Sequence, residues 1–314
     1  MSAPADLFRA AMLATFGRAP EVIEPGRFLR FATSDRRSDT AGWCKLFDDL
    51  RGGVFGCYRQ GISQTWAATD LATMTREQRL AQARQVMAAN CERQAQQQQQ
   101  WAANAMRNAA TWEQCVPLVP GDPCTLYLKR RGFGGVWPLP ACLRLHRALP
   151  YWHEGESAGD FSAMVAPIVA SDGRMVALHR TYLTRNGRKA EVPTVRKLTA
   201  AAGPMAGACI PLHKPAHGVL GIAEGIESAL AGWLASGVPT VAAYSAGNLA
   251  AWRWPVGMAR VLVFTDADPA GRKAASELVA RAVRAGLQAE ALMPSEPGTD
   301  WADVWAAGTS GQAA

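Results

Sequence analysis

Apolar positions along the chain change period several times, and each change predicts a different kind of element. Leu7, Phe8, Ala11, Met12 and Phe16 recur at helical spacing and predict an amphipathic helix over residues 5–16. From Gly26 to Trp66 the pattern breaks into short β-prone runs at 28–31, 42–47, 53–58 and 63–66, with Asp-rich and Gly-rich turns between them. A small antiparallel β module is expected there. A polar helical pattern then runs from the capping box Thr75-Arg76-Glu77-Gln78 through Gln96-Gln97-Gln98-Gln99-Gln100 to Trp112 without Pro or Gly, which predicts one long helix or two. The glutamines read as low-complexity and solvent-facing. Beyond Pro117, Pro120 and Pro123 a short helix over 124–131 is expected to stop at Gly132. Strands at 163–169 and 175–182 follow, joined by the hairpin signal Ser171-Asp172-Gly173-Arg174, and a second turn falls at Asn186-Gly187.

The last hundred residues have a different rhythm. Val219-Leu220-Gly221-Ile222-Ala223 and Ala259-Arg260-Val261-Leu262-Val263-Phe264-Thr265 are apolar runs of the kind found in strands buried on both faces. Further strands are predicted at 239–245 and 286–292. Ala274, Leu278, Ala282 and Ala285 mark the inner face of a helix over 270–285. The first run ends in Glu224-Gly225 and the second in Asp266-Ala267-Asp268-Pro269-Ala270-Gly271, each followed at once by a helical pattern. Carboxylates are therefore delivered at the carboxyl ends of two strands, the edge where ligands bind in open α/β sheets. Read singly, Glu224 and the Asp266/Asp268 pair suit helix N-caps and first-turn acids equally well. Both motifs in this order favour a site. Three clustered carboxylates repel unless they share protons or hold a hard cation, and Mg²⁺ or Mn²⁺ suits such a set.

Charge sharpens the division. The net +7 of the 314 residues is distributed as +3 over 1–115, +7 over 116–214 and −3 over 215–314. A basic block beside an acidic one suits a polyanion held next to bound metal. Four regions are expected: a small N-terminal α+β module at 1–69, a Gln-rich helical connector at 70–115, a basic α/β subdomain at 116–214 and the acidic α/β domain at 215–314. The seven cysteines are scattered, with no Cys-x-x-Cys, so neither a disulfide framework nor zinc is expected. No apolar run is long enough to cross a bilayer, and the N-terminus lacks the order of a signal peptide, which together predict a cytoplasmic protein without a membrane partner. In the N-terminal module the aromatics with Arg36, Arg37 and Arg51 suit either stacking on single-stranded nucleic acid or, more commonly, the core of a small sheet.

Three segments of the last block together resemble the topoisomerase–primase (Toprim) family. They are Ala223-Glu224-Gly225-Ile226-Glu227-Ser228-Ala229-Leu230, Phe264-Thr265-Asp266-Ala267-Asp268-Pro269-Ala270-Gly271, and Gly298-Thr299-Asp300-Trp301-Ala302-Asp303. Upstream, Tyr127-Leu128-Lys129-Arg130-Arg131-Gly132, His179-Arg180-Thr181-Tyr182-Leu183 and Gly187-Arg188-Lys189-Ala190 resemble primase-type Toprim proteins of phages, plasmids and integrative elements. Two positions depart from cellular bacterial primases: Ser228 stands where they usually carry Asp, and Asp300 and Asp303 are spaced by three rather than two. The resemblance implies a Toprim-type doubly wound sheet preceded by a mixed α/β subdomain, a helical segment and the N-terminal module. It implies a bacterial DNA primase of a mobile element that joins ribonucleoside triphosphates on single-stranded DNA. Glu224, Asp266 and Asp268 would be catalytic metal ligands, with Asp300 and Asp303 as outer ones. Lys129, Arg130, Arg131, Arg180, Arg188, Lys189, Lys197, Arg272 and Lys273 would contact nucleic acid or nucleotide. His179 reads as a hydrogen-bonded structural histidine. With no Gly-x-x-x-x-Gly-Lys-Ser/Thr loop in the chain, a replicative helicase would be a separate polypeptide. A metal-dependent Toprim nuclease and a non-catalytic replication accessory are the other two functions compatible with these motifs.

Overall fold

The structure, a computed structural model, describes residues 3–35, 39–69 and 73–310. It divides into two compact units, Met1–Gln99 with Glu154–Glu156, and Gln100–His153 with Ser157–Ala314.

In the first unit, helix α1 (Pro4–Phe16) opens on a proline, which helix N-termini tolerate, and closes on Gly17 at φ 68°. Its inner face sets Phe8 and Met12 on a sheet, while Leu7 is 46 % exposed. That sheet is antiparallel, ordered β1 (Leu29–Phe31), β2 (Gly42–Leu46), β3 (Gly52–Cys57), β4 (Ile62–Ala67). Phe8 and Met12 pack with Phe31, Cys44, Leu46 and Phe55 on one face. On the other, Trp43, Phe47 and Val54 meet Ala89 of helix α2 (Arg76–Glu113). Trp43, Phe47 and Phe55 are core side chains, and the half-buried Phe28 stacks on Trp43. Of the three arginines expected beside them, Arg51 is exposed, and Arg36 and Arg37 lie outside the described residues.

Helix α2 is a single helix of 38 residues. Thr75 and Gln78 cap it reciprocally, with Gln78 N–H donating to Thr75 Oγ1 at 3.2 Å and Thr75 N–H to Gln78 Oε1 at 2.9 Å. The division between the two units falls within it, in the exposed glutamine run.

The second unit contains two sheets. One is ordered β5 (Val116–Pro117), β6 (Arg144–His153), β7 (Glu156–Val169), β8 (Met175–Leu183), β9 (Arg196–Leu198). Between β5 and β6 lies α3 (Pro123–Leu128), whose N-cap Asp122 accepts from Thr125 N–H at 2.7 Å. A wider turn, Lys129–Phe133, follows, and it ends as Gly132 adopts φ 90°. The other sheet is fully parallel, ordered β11 (Thr240–Ala242), β10 (Val219–Ala223), β12 (Arg260–Phe264), β13 (Gln288–Leu292). Helix α4 (Ile226–Ser236) packs on one face with α7 (Trp301–Ser310). Helices α5 (Ala246–Ala251) and α6 (Pro269–Arg284) cover the other. This is a doubly wound α/β sheet, and its buried central strands explain their unbroken apolar sequences. Gly232 of α4 lies so close to the Phe264 ring that a Cβ would sit 2.7 Å from it. Among the described residues no helix is long and apolar enough to cross a membrane.

Candidate functional site

Strands β10 and β12 are parallel neighbours, and their register pairs Ala223 with Phe264. Glu224 therefore leaves the sheet beside Thr265, with Asp266 one residue further. The chain winds from β10 to β11 on one side and then to β12 on the other, so this edge is the switch point where a doubly wound sheet opens a crevice. A cavity of about 110 Å³ lies there, lined among others by Glu224, Asp266, Asp300, His179, Arg196 and Tyr244.

The carboxylates perturb one another. Burial, followed by the charges of Glu224 and Asp300, pushes the Asp266 carboxyl up to about 6. Burial and the charge of Asp268 raise that of Glu224, against the pull of a hydrogen bond from Ala246 N–H. Asp266 Oδ1 is buried with no hydrogen-bond partner. A buried, unsatisfied carboxylate oxygen beside a second carboxylate is the donor chemistry a hard cation satisfies, and Glu224 and Asp266 fit a divalent metal on that ground. Asp268 stands differently. It is exposed and N-caps α6, its Oδ1 accepting from Gly271 N–H at 2.6 Å. Gly271 makes that turn possible, since a Cβ there would lie 2.7 Å from Thr265 Oγ1 and 2.8 Å from Asp266 O. Among the described residues no three His, Cys, Asp or Glu side chains are arranged as a metal-ligand set.

Asp300 and Asp303 form a reciprocal cap at the start of α7, with Asp303 N–H donating to Asp300 Oδ1 at 2.8 Å and Asp300 N–H to Asp303 Oδ2 at 3.4 Å. Arg131 lies 3.8 Å from Asp300 Oδ2 and 3.4 Å from Asp303 Oδ1, so it offsets part of the charge of this cap.

Behind the carboxylates is a buried cluster. Glu227, in the first turn of α4, is 4 % exposed. Its Oε1 accepts from Tyr127 Oη–H at 2.6 Å and from an η nitrogen of Arg196 at 2.8 Å. Burial alone would push the Glu227 carboxyl up; the Arg196 charge and the tyrosine hydroxyl reverse this and hold it below its ordinary value. The Tyr127 hydroxyl is raised by burial and by Glu227, so it remains a donor.

The family model of the Toprim domain matches residues 219–310. Residues 219–310 are a Toprim domain. Residues 102–210 match a second family model, described as a domain of unknown function (DUF7146). No curated protein matches the chain in sequence. Among solved structures, the chain is similar to a DNA primase domain from Pseudomonas aeruginosa, at 18 % identity and a TM-score of 0.34, over 51 % of this chain and 52 % of that one. The chain thus spans about half the length of that domain. It is similar to the RNA polymerase domain of Mycobacterium tuberculosis primase DnaG in complex with double-stranded DNA, at 16 % identity and a TM-score of 0.40, over 69 % and 79 %. A third similar structure is the primase fragment of the bacteriophage T7 primase-helicase protein, at 14 % identity and a TM-score of 0.36, over 60 % and 67 %.

The Toprim domain carries Glu224, Asp266, Asp268, Asp300 and Asp303 at one sheet edge, together with the exposed Arg272 and Lys273 of the first turn of α6. The cavity is completed from outside it, by His179 of β8 and Arg196 of β9. The pairing of β8 with β9 puts Thr181 opposite Arg196 and Arg180 opposite Lys197. Successive strand residues face opposite ways, so Arg196 and His179 share the face toward the Toprim domain, whereas Arg180 and Lys197 lie on the other. There Lys197 stacks over Tyr151 at 4.7 Å and Arg180 over Tyr182 at 5.8 Å. Lys129, Arg130, Arg188 and Lys189 are exposed, and the Arg130 guanidinium reaches Asn186 O at 3.3 Å. The nine basic residues expected to contact nucleic acid or nucleotide are therefore not one patch. Glu227 and Tyr127 were visible only as motif letters, and Arg196 only as one basic residue among several. The structure puts Glu227 and Arg196 in the lining of the cavity and Tyr127 against Glu227. His179 is 8 % exposed and its Nδ1 has no hydrogen-bond partner, unlike the hydrogen-bonded histidine expected.

Proposed function

We propose that the chain is the catalytic part of a DNA primase that joins ribonucleoside triphosphates on a single-stranded DNA template. The observation that carries this reading is that residues of both matched regions line one cavity: Glu224 and Asp266 of the Toprim domain and His179 and Arg196 of the preceding region. A carboxylate pair facing a guanidinium suits an anionic substrate whose charge is shared between a cation and an arginine. Glu224 and Asp266 would hold Mg²⁺ or Mn²⁺, with Asp268 close enough to add its charge, and the metal would supply charge stabilisation for phosphoryl transfer. The exposed Lys129, Arg130, Arg188 and Lys189 would hold the template backbone by salt-sensitive phosphate contacts. In this reading Asp300 and Asp303 shape the edge of the site through the α7 cap and Arg131. The mobile-element context, a separate helicase partner and a bacterial cytoplasmic setting belong to the same proposal. They rest on the motif resemblance alone. Incubation with single-stranded DNA, labelled ribonucleotides and Mg²⁺ or Mn²⁺ tests the reading through the appearance of short labelled products, and cleavage of labelled DNA in a parallel lane would point to a nuclease instead.

A further inference from the structure

Glu227 is a buried acid whose charge is met at 2.8 Å by the Arg196 guanidinium. Three observations converge on its partner. The Arg196 side chain is 46 % exposed while that of Glu227 is 6 % exposed, so the pair has a buried partner and an open one. One η nitrogen engages Glu227 Oε1, with the Tyr127 hydroxyl on the same oxygen at 2.6 Å. A guanidinium has five N–H donors in a rigid fork, so donors remain for a ligand. Beside it His179 lines the same cavity, nine-tenths buried, with its Nδ1 unpartnered. Burial pushes this imidazole down to about 4, so at neutral pH it is uncharged and offers one donor and one acceptor.

We propose that Glu227 and Tyr127 are positioning residues that hold the Arg196 guanidinium across the cavity from Glu224 and Asp266, as the seat for a phosphate group of a nucleoside triphosphate, with His179 as a neutral hydrogen-bonding group beside it. The identity of the ligand rests on the primase reading above; the seat itself rests on the geometry. The arrangement has a physical logic. A flexible arginine loses rotamer freedom when it grips a ligand, and a second hydrogen-bonded anchor removes that loss beforehand. Burying the anchor makes it strong, because a charge-assisted hydrogen bond gains in a low-dielectric surrounding.

The test exploits a sign. Calorimetric titration of the full chain with inorganic tripolyphosphate in excess Mg²⁺ reads the seat without template or turnover. E227Q keeps the side chain's shape and removes a negative charge near the cavity. Electrostatics alone would make an anion bind more tightly to this variant. Loss of the anchor instead weakens binding, by about tenfold, the change expected when one charge-assisted contact is lost. Y127F should weaken it by a smaller factor. The E227Q/R196Q double variant leaves no unpaired buried charge, so it remains informative if either single variant fails to fold; it should bind tripolyphosphate far more weakly than the wild type. Wild-type affinity, or tighter binding, in E227Q or in the double variant overturns the proposal, as does a lower thermal midpoint in E227Q with its Kd unchanged. Absence of tripolyphosphate binding by the wild type overturns it as well. The functional reading fails separately: a wild type that binds tripolyphosphate through Arg196 but makes no primers ends the primase reading and leaves the phosphate seat standing.

Discussion

Asp266→Asn is the perturbation whose consequences follow most fully from the geometry. The substitution preserves shape and removes one charge. Asp266 Oδ1 has no hydrogen-bond partner, so no bond at that atom is lost. The carboxyl is raised from its ordinary 3.8 to about 6 by burial and by four neighbouring acids, which means that its ionisation opposes folding. Without solvent screening that gap corresponds to about 3 kcal/mol. The side chain is only partly buried, and about 1 kcal/mol is the screened expectation. The sign follows from the raised value: the penalty is absent below about pH 4, grows as pH rises through about 6, and is complete above it. The asparagine variant should therefore be more stable than the wild type by about 1 kcal/mol near pH 8 and equal to it near pH 4. Urea unfolding at the two pH values measures this. Added Mg²⁺ should stabilise the wild type and leave the variant nearly unchanged, and primer synthesis should fall by orders of magnitude. A variant that is less stable than the wild type near pH 8 and still makes primers would refute the assignment and leave Asp266 with a structural role.

Asp268 separates capping from chemistry. Asp268→Ala should destabilise the chain by about 1 kcal/mol through the lost bond to Gly271 N–H, while Asp268→Asn keeps the cap and its stability; full primer synthesis by the asparagine variant would make Asp268 a cap alone. Reversing the exposed Arg188 and Lys189 to Glu should weaken single-stranded DNA binding and reduce the slope of log affinity against log salt by roughly one to two, since each phosphate contact contributes about 0.7. An unchanged slope would put the template path elsewhere. Gly232→Ala should destabilise the Toprim domain by about 1–3 kcal/mol, because the new methyl meets the Phe264 ring at 2.7 Å; a thermal midpoint equal to the wild type's would show that α4 shifts freely on the sheet.

The parallel sheet was legible because its inner strands are buried on both faces. Val219–Ala223 and Arg260–Phe264 are nearly continuous apolar runs, and each is followed within two residues by the acid it delivers. Strand β6 was not legible. Arg144–His153 alternates imperfectly and contains Pro150, so neither its period nor its composition signals a strand. Strand β7 starts at Glu156, in a polar stretch exposed to solvent, where sequence reading begins it at 163. The carboxylate half of the site could be read from the chain because strand ends and helix starts are local features. The Arg196 half could not. Glu227 sits 31 residues from Arg196 and 100 from Tyr127 in the chain, and only tertiary packing shows that this first-turn acid is buried on two donors. The same holds for the basic residues. Arg180 and Arg196 look alike in sequence, and the register of β8 on β9 puts them on opposite faces.

Primer synthesis by the wild type beside Asp266→Asn tests the central claim most directly. With single-stranded DNA, labelled ribonucleotides and Mg²⁺ or Mn²⁺, the wild type should yield short labelled products that vanish with metal chelation, and the variant should yield almost none. Products of equal yield from both proteins, or none from the wild type with either metal, would contradict it.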